Sequence, residues 1–185
     1  PKGKLVAQFT HPLKVKETYA PVEIKEVGNG TFLYDFGTNF SGWAEITLSW
    51  DNPKSGHSVT MTTAEKLTKE GLPDQRGTGE GYAWTYLTNQ EKVQQYRPRF
   101  TYTGFRYLLL EGAVPPEFSG NYPELPVAKT LEGQFIYPDF QPYGQFSCSN
   151  SLWNQIHGIV TQAMLSNTKS IFTDCPHREK LGWLE

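Results

Sequence analysis

From Leu5 to about Leu131 the apolar residues of this chain keep a period of two, and glycine, asparagine and proline interrupt them at short intervals. Phe32, Tyr34 and Phe36 alternate with Leu33 and Asp35; Ile46, Leu48 and Trp50 with Glu45, Thr47 and Ser49; Val59, Met61 and Thr63 with Ser58, Thr60 and Thr62. Successive side chains of a strand point to opposite faces, so each run predicts a strand with one buried face. Gly28-Asn29-Gly30, Asp51-Asn52-Pro53 and Gly77-Thr78-Gly79 provide the positive or preset φ that turns between strands require. Further strands are expected at 22–27, 82–88, 93–102 and 105–111. Short strands in this number each need another layer to cover the apolar face, which predicts two packed antiparallel sheets, a β-sandwich or jelly roll over residues 1–131.

Pro115-Pro116, Pro123, Pro126, Pro138 and Pro142 then change the pattern, because proline interrupts helix and sheet interiors and favours extended connectors. Residues 132–148 are expected to form a linker. Beyond it, Ser149 or Asn150 can cap a helix, and Leu152, Ile156, Ile159, Val160, Ala163 and Met164 recur three or four apart on one stripe as far as Asn167. A single amphipathic helix cannot cover its own stripe. Residues 149–185 are therefore expected to open a helical domain, and the chain to be part of a longer polypeptide whose stripe, left uncovered, would favour self-association.

A length of 185 residues fits one domain plus part of another. The formal charge is −2, with no block of like charge to neutralise a phosphate backbone, which argues against a nucleic-acid partner. No apolar run reaches the roughly 18 residues of a membrane span. The 11 Phe, 10 Tyr and 5 Trp provide rings suited to stacking on sugars. Cys148 and Cys175 match no metal-ligand spacing and leave the compartment open, a periplasmic or secreted parent being preferred.

The densest chemistry is Asp174-Cys175-Pro176-His177-Arg178-Glu179-Lys180-Leu181-Gly182-Trp183. As a sugar site, Trp183 would face the C–H side of a pyranose, Arg178 and Asp174 would bind hydroxyls, and Glu179 would be a general acid if apolar surroundings raised its pKa. As a structural element, the same residues would form a salt-bridged helix start capped by Asp174. Asp174 and Glu179 could also be an acid and base pair, with His177 a proton shuttle or a structural hydrogen-bonder. Upstream, Trp43, Tyr102 and Tyr107 are candidate sugar platforms, and Asp35 with Asn39 are candidate calcium ligands, although packing is the expected role of this group. Gly37, Gly42 and Gly104 suit bulges or tight turns, and Arg106 suits a pair with Asp35 or a cation stacked on a ring.

Taken in order, Asp-Phe-Gly-x-Asn-x-x-Gly-Trp (35–43), Ala64-Glu65-Lys66-Leu67 with Gly71-Leu72, Pro98-x-Phe100-x-Tyr102-x-Gly104-Phe105-Arg106-Tyr107, Gly144-x-Phe146-x-Cys148-Ser149-Asn150, and Asp174 to Glu179 with Gly182-Trp183 resemble the bacterial α-L-rhamnosidases of glycoside hydrolase family 78. The resemblance implies a jelly-roll domain followed by an (α/α)6 barrel that hydrolyses terminal α-L-rhamnosides with inversion and without a redox cofactor. Residue by residue, it implies Glu179 as general acid, Asp174 and Arg178 as holders of the rhamnose hydroxyls, and Trp183 as an aromatic wall. Many relatives continue Gly-Trp-x-Gly-Asp, whereas Leu184 and Glu185 follow here. The family's general base, a later Glu, has no counterpart among these residues, so this chain alone is expected to be inactive. The competing readings are a carbohydrate-binding module or a purely structural β domain.

Overall fold

The computed structural model describes residues 3–79, 81–141 and 144–182. The strands are β1 (Leu13–Tyr19), β2 (Glu23–Gly28), β3 (Thr31–Ser49), β4 (Ser58–Ala64), β5 (Lys66–Leu67), β6 (Pro73–Asp74), β7 (Ala83–Leu87), β8 (Val93–Tyr96), β9 (Thr103–Glu111) and β10 (Val127–Pro138). Eight of them form one antiparallel sheet in the order β1-β10-β3-β9-β4-β7, with β2 and β8 also paired to β3, and β5 and β6 make a small separate hairpin. The two layers are thus halves of one curled sheet.

The curl originates in β3. The alternating runs that the sequence presents as two strands, 32–36 and 46–50, lie on one 19-residue strand except for Trp50, which directly follows it. Its first part, Thr31–Asp35, is paired with β2 and β9; its last part pairs with β10 and β8. The β9 register shifts between Asp35 and Phe40, where Gly37 has φ +76° and donates its N–H to Asp35 Oδ1 at 2.7 Å. A left-handed residue inside a strand makes a bulge, which bends the strand without ending it. At Gly42 a side chain would strike the Gln134 carbonyl, so the missing Cβ lets β10 close on the bend.

Phe32, Phe40, Phe105, Phe135, Ile46, Met61, Leu108 and Leu110 are fully buried inside the curl. Phe40 is at the centre, with ring centroids 4.6 Å from Phe105, 5.9 Å from Phe36 and 6.2 Å from Phe135. Each buried ring contributes roughly 1.5–3 kcal/mol from area alone, and each tilted or edge-on pair about 0.5–1.5 kcal/mol more.

Two segments differ from the sequence expectation. Pro115 to Pro126 is the β9–β10 crossover and contains a 3-10 turn (Pro116–Asn121), not a connector between domains. Strand β10 runs on to Pro138, past residue 131, because Phe135 and Ile136 are needed in the core and Pro138 comes at a strand end paired only with β1.

The helix α1 (Ser151–Asn167) begins where the sequence places it: Asn150 is the N-cap and accepts from the Leu152 N–H at 3.0 Å. It docks on the β3 bulge by its C-terminal end. Leu165 packs on the core, Ser41 Oγ donates to the Ser166 carbonyl at 2.6 Å, and Gln162 Nε2 donates to the Asn39 carbonyl at 3.2 Å. Most of the apolar stripe faces outward, with Leu152, Ile159, Val160 and Met164 at least half exposed.

Candidate active site

After α1 the chain turns back over the bulge. Lys169 is buried there, and its ammonium donates to Ser41 Oγ (2.7 Å), the Ile136 carbonyl (2.8 Å) and the Ser166 carbonyl (3.1 Å). Burial, aided by nearby Lys180, pulls its pKa down to about 7. Nothing in the sequence pattern marks this lysine, whose acceptors come from β3, β10 and α1.

The Asp174–Gly182 segment is a loop rather than a helix start. Its neck is closed twice, by the Asp174 N–H to the Leu181 carbonyl and the Leu181 N–H to Asp174 Oδ1, both at 2.9 Å. Asp174 therefore caps its own loop. Pro176 is buried against β9, where Gly104 leaves the space. Lys180, in the left-handed region at φ 55°, donates to the Tyr102 carbonyl at 2.6 Å and lies over the Tyr102 ring. These contacts fix both arms of the loop on the sandwich.

At the tip, Arg178 Nε and Nη2 donate to Glu179 Oε1 at 2.6 and 2.5 Å, and the Cys175 thiol donates to Glu179 Oε2 at 3.2 Å. Arg178 and then Cys175 hold the Glu179 carboxyl below its ordinary pKa. Among the described residues, an apolar pocket that raises this pKa, the condition attached to the acid role, does not surround Glu179: its side chain is a third exposed and paired with Arg178. Ligand atoms of Asp174, Cys175 and Glu179 lie within 4.8 Å of one another. Both carboxylates of this cluster already have partners, Glu179 in Arg178 and Asp174 in the Leu181 N–H. Trp183 lies outside the described residues.

His177 is hydrogen-bonded through both ring nitrogens. Its Nε2 is 3.2 Å from Glu65 Oε2, and its Nδ1 accepts from the Arg178 N–H at 3.0 Å. Glu65 was legible only as part of an Ala-Glu-Lys-Leu motif, with no role attached.

The sandwich candidates are engaged elsewhere. Arg97 lies over the Trp43 ring, Lys169 and Lys180 over Tyr102, and Arg106 over Tyr107, so each proposed sugar platform already carries a cation. Asp35 takes a two-pronged bond from Arg106, both distances 2.7 Å, which lowers its pKa. Asn39 donates instead to Glu65 Oε1 at 2.8 Å, so Asp35 and Asn39 do not converge on one point.

Residues 25–137 match the bacterial α-L-rhamnosidase concanavalin-like domain, and residues 141–185 match the bacterial α-L-rhamnosidase 6 hairpin glycosidase domain. An α-L-rhamnosidase of Formosa agariphila is 31% identical over 184 residues, covering 96% of this chain and 18% of that protein. The α-L-rhamnosidase structure from Dictyoglumus thermophilum superposes with a TM-score of 0.84 at 33% identity, covering 98% of this chain and 20% of that one. That of Streptomyces avermitilis, solved with L-rhamnose, gives 0.81 at 26% identity over 97% and 16%. The chain thus spans about a fifth of the length of these relatives. With both domain types matched in order along one polypeptide, the chain belongs to the bacterial α-L-rhamnosidase family.

Proposed function

We propose that the whole protein is an inverting α-L-rhamnosidase that removes terminal α-L-rhamnose from glycosides, and that residues 1–182 supply its β domain and the loop carrying the general acid. The observation that supports this most is the Arg178–Glu179 pair at the tip of a loop anchored at both arms, inside the segment matched to the glycosidase domain. The L-rhamnose in the Streptomyces avermitilis structure supports the choice of sugar.

In this reading Glu179 protonates the departing glycosidic oxygen, while Asp174 and Arg178 hold ring hydroxyls and Trp183 walls the pocket. A general acid must hold its proton before reaction, yet Arg178 favours the carboxylate. Substrate resolves the conflict: when Arg178 turns onto sugar hydroxyls, Glu179 loses the cation that lowers its pKa, and exclusion of water by the sugar raises it further. The base that activates water is supplied by the remainder of the protein, so residues 1–185 alone turn over no rhamnoside. The reaction uses protein groups and water only. The exposed α1 stripe is the surface by which the isolated chain would self-associate; a concentration-independent sedimentation coefficient for a monomer would count against that.

The test is Glu179→Gln in the full-length protein. Cleavage of an alkyl rhamnoside, whose leaving group needs the proton, should fall about 10²–10⁴-fold, and cleavage of an activated aryl rhamnoside much less. Equal rates on the alkyl substrate would refute the assignment.

A further inference from the structure

We infer that Glu65, on the sandwich between β4 and β5, is a positioning residue for the general acid, acting through His177. The inference rests on the proposed role of Glu179. Three linked contacts carry it. Asn39 Nδ2 donates to Glu65 Oε1 at 2.8 Å, which orients the carboxylate; Glu65 Oε2 meets His177 Nε2 at 3.2 Å; and His177 Nδ1 receives the backbone N–H of Arg178 at 3.0 Å.

The tautomer follows from the partners. A backbone N–H can only donate, so Nδ1 carries no proton; an ionised carboxylate can only accept, so the ring proton is on Nε2. Glu65 thereby selects the one neutral form of His177 that can hold the Arg178 amide. The opposite tautomer would turn an N–H toward an N–H and release the His177–Arg178 peptide, one residue ahead of Glu179. His177 and Glu65 keep side-chain exposures of only 13% and 21%, so water competes weakly for these bonds.

Neighbouring residues restrict the dyad further. Pro176, directly before His177, is fixed against Gly104, and Glu65 Oε1 lies beside the same glycine. A Cβ at Gly79 would come within 3.5 Å of Arg178 Cγ, so the stem of Arg178 passes close to that glycine. The sandwich therefore sets the direction in which the His177–Arg178 peptide faces, and with it the start of the Arg178–Glu179 tip, over 112 residues of sequence separation. Misplacing a reacting group by about 1 Å can reduce a rate roughly 10²-fold, which sets the scale of the expected effect.

The experiment compares Glu65→Ala, Glu65→Gln, His177→Phe and the Glu65→Ala/His177→Phe double variant in the full-length protein, on alkyl and activated aryl rhamnosides. Glu65→Ala should lower kcat on the alkyl substrate about 10²-fold and on the aryl substrate less than about 10-fold, because only the first depends on a well-placed proton. Glu65→Gln should recover most of the loss, since its amide oxygen can accept from Nε2 while Asn39 flips to accept from its NH2. His177→Phe should match Glu65→Ala, and the double variant should be no slower than either single one. Should Glu65→Ala fail to fold, His177→Phe and Glu65→Gln give the same comparison from the other side of the contact. Equal losses on the two substrates, additive losses, or a Glu65→Gln no better than Glu65→Ala would overturn the inference. Glu179→Gln run alongside separates the failures: if it leaves alkyl cleavage intact, the acid assignment is wrong; if it is inactive while Glu65→Ala is normal, only the positioning role falls.

Discussion

Replacing Gly104 by alanine tests whether the sandwich determines the placement of the acid-bearing loop. Gly104 is inside β9 with no left-handed φ, so its backbone accepts alanine without strain. All of the cost is in what the new methyl meets. An ideal Cβ there would be 2.6 Å from Pro176 Cγ and 3.0 Å from Glu65 Oε1, whereas ordinary contact begins at 3.4 Å. The proline ring must retreat by about 0.8 Å, and because β9 is packed on both sides in the sheet, the loop moves rather than the strand. Absorbing such overpacking costs about 1–3 kcal/mol, and a shift near 1 Å at the reacting group can cost about 10²-fold in rate. The full-length variant should therefore lose between 10- and 100-fold in kcat on an alkyl rhamnoside while its melting temperature falls by roughly 2–12 °C, at about 2–4 °C for each kcal/mol in a domain of this size. The control is Gly120→Ala, where the new methyl would meet nothing within 4 Å. Steady-state kinetics and thermal melting on the two variants decide the matter. Unchanged kcat in a folded Gly104→Ala protein would refute the claim that the Pro176 contact positions the acid.

Lys169 gives a pH prediction. Its pKa falls from 10.5 to about 7 on folding, so between these values the unfolded chain holds a proton that the folded chain has released, and stability should rise with pH across that window and be flat outside it. The difference in denaturant stability between the native protein and Lys169→Met should follow this slope; a difference that fell with rising pH would contradict the burial argument. Gly42→Ala should destabilise by more than about 3 kcal/mol, because the methyl would strike the Gln134 backbone carbonyl. Gly133→Ala, which would strike only the Phe40 ring, should be milder, and denaturant midpoints in the reverse order would show that the strand, not the ring, yields.

The residues that define strands and helix were readable because their cause is local. Alternation over Val59, Met61 and Thr63 places these three on the buried face, and Asn150 with the stripe behind it predicts a capped helix. Alternation failed to show that 32–36 and 46–49 are one strand, since whether Gly37 ends a strand or bends it depends on what pairs beyond it, here β9 on both sides of the bulge and β10 from Gly42 onward. The same limit applies to β10: Pro138 looks like an interruption until β1 is seen beside it.

At the site, the order of motifs identified the family, and the Asp174–Gly182 segment was conspicuous by its density of ionisable groups. Residue types and spacings are all that a one-dimensional pattern records. Which partner each charge meets depends on distances between segments far apart in the chain, and those exist only after the core has closed. Tertiary structure alone decided that Lys169 is buried among three oxygen acceptors and that Glu65 reaches His177. Close packing around Phe40 fixes the bulge, the bulge fixes Asn39 and Ser41, and through them the loop inherits its geometry.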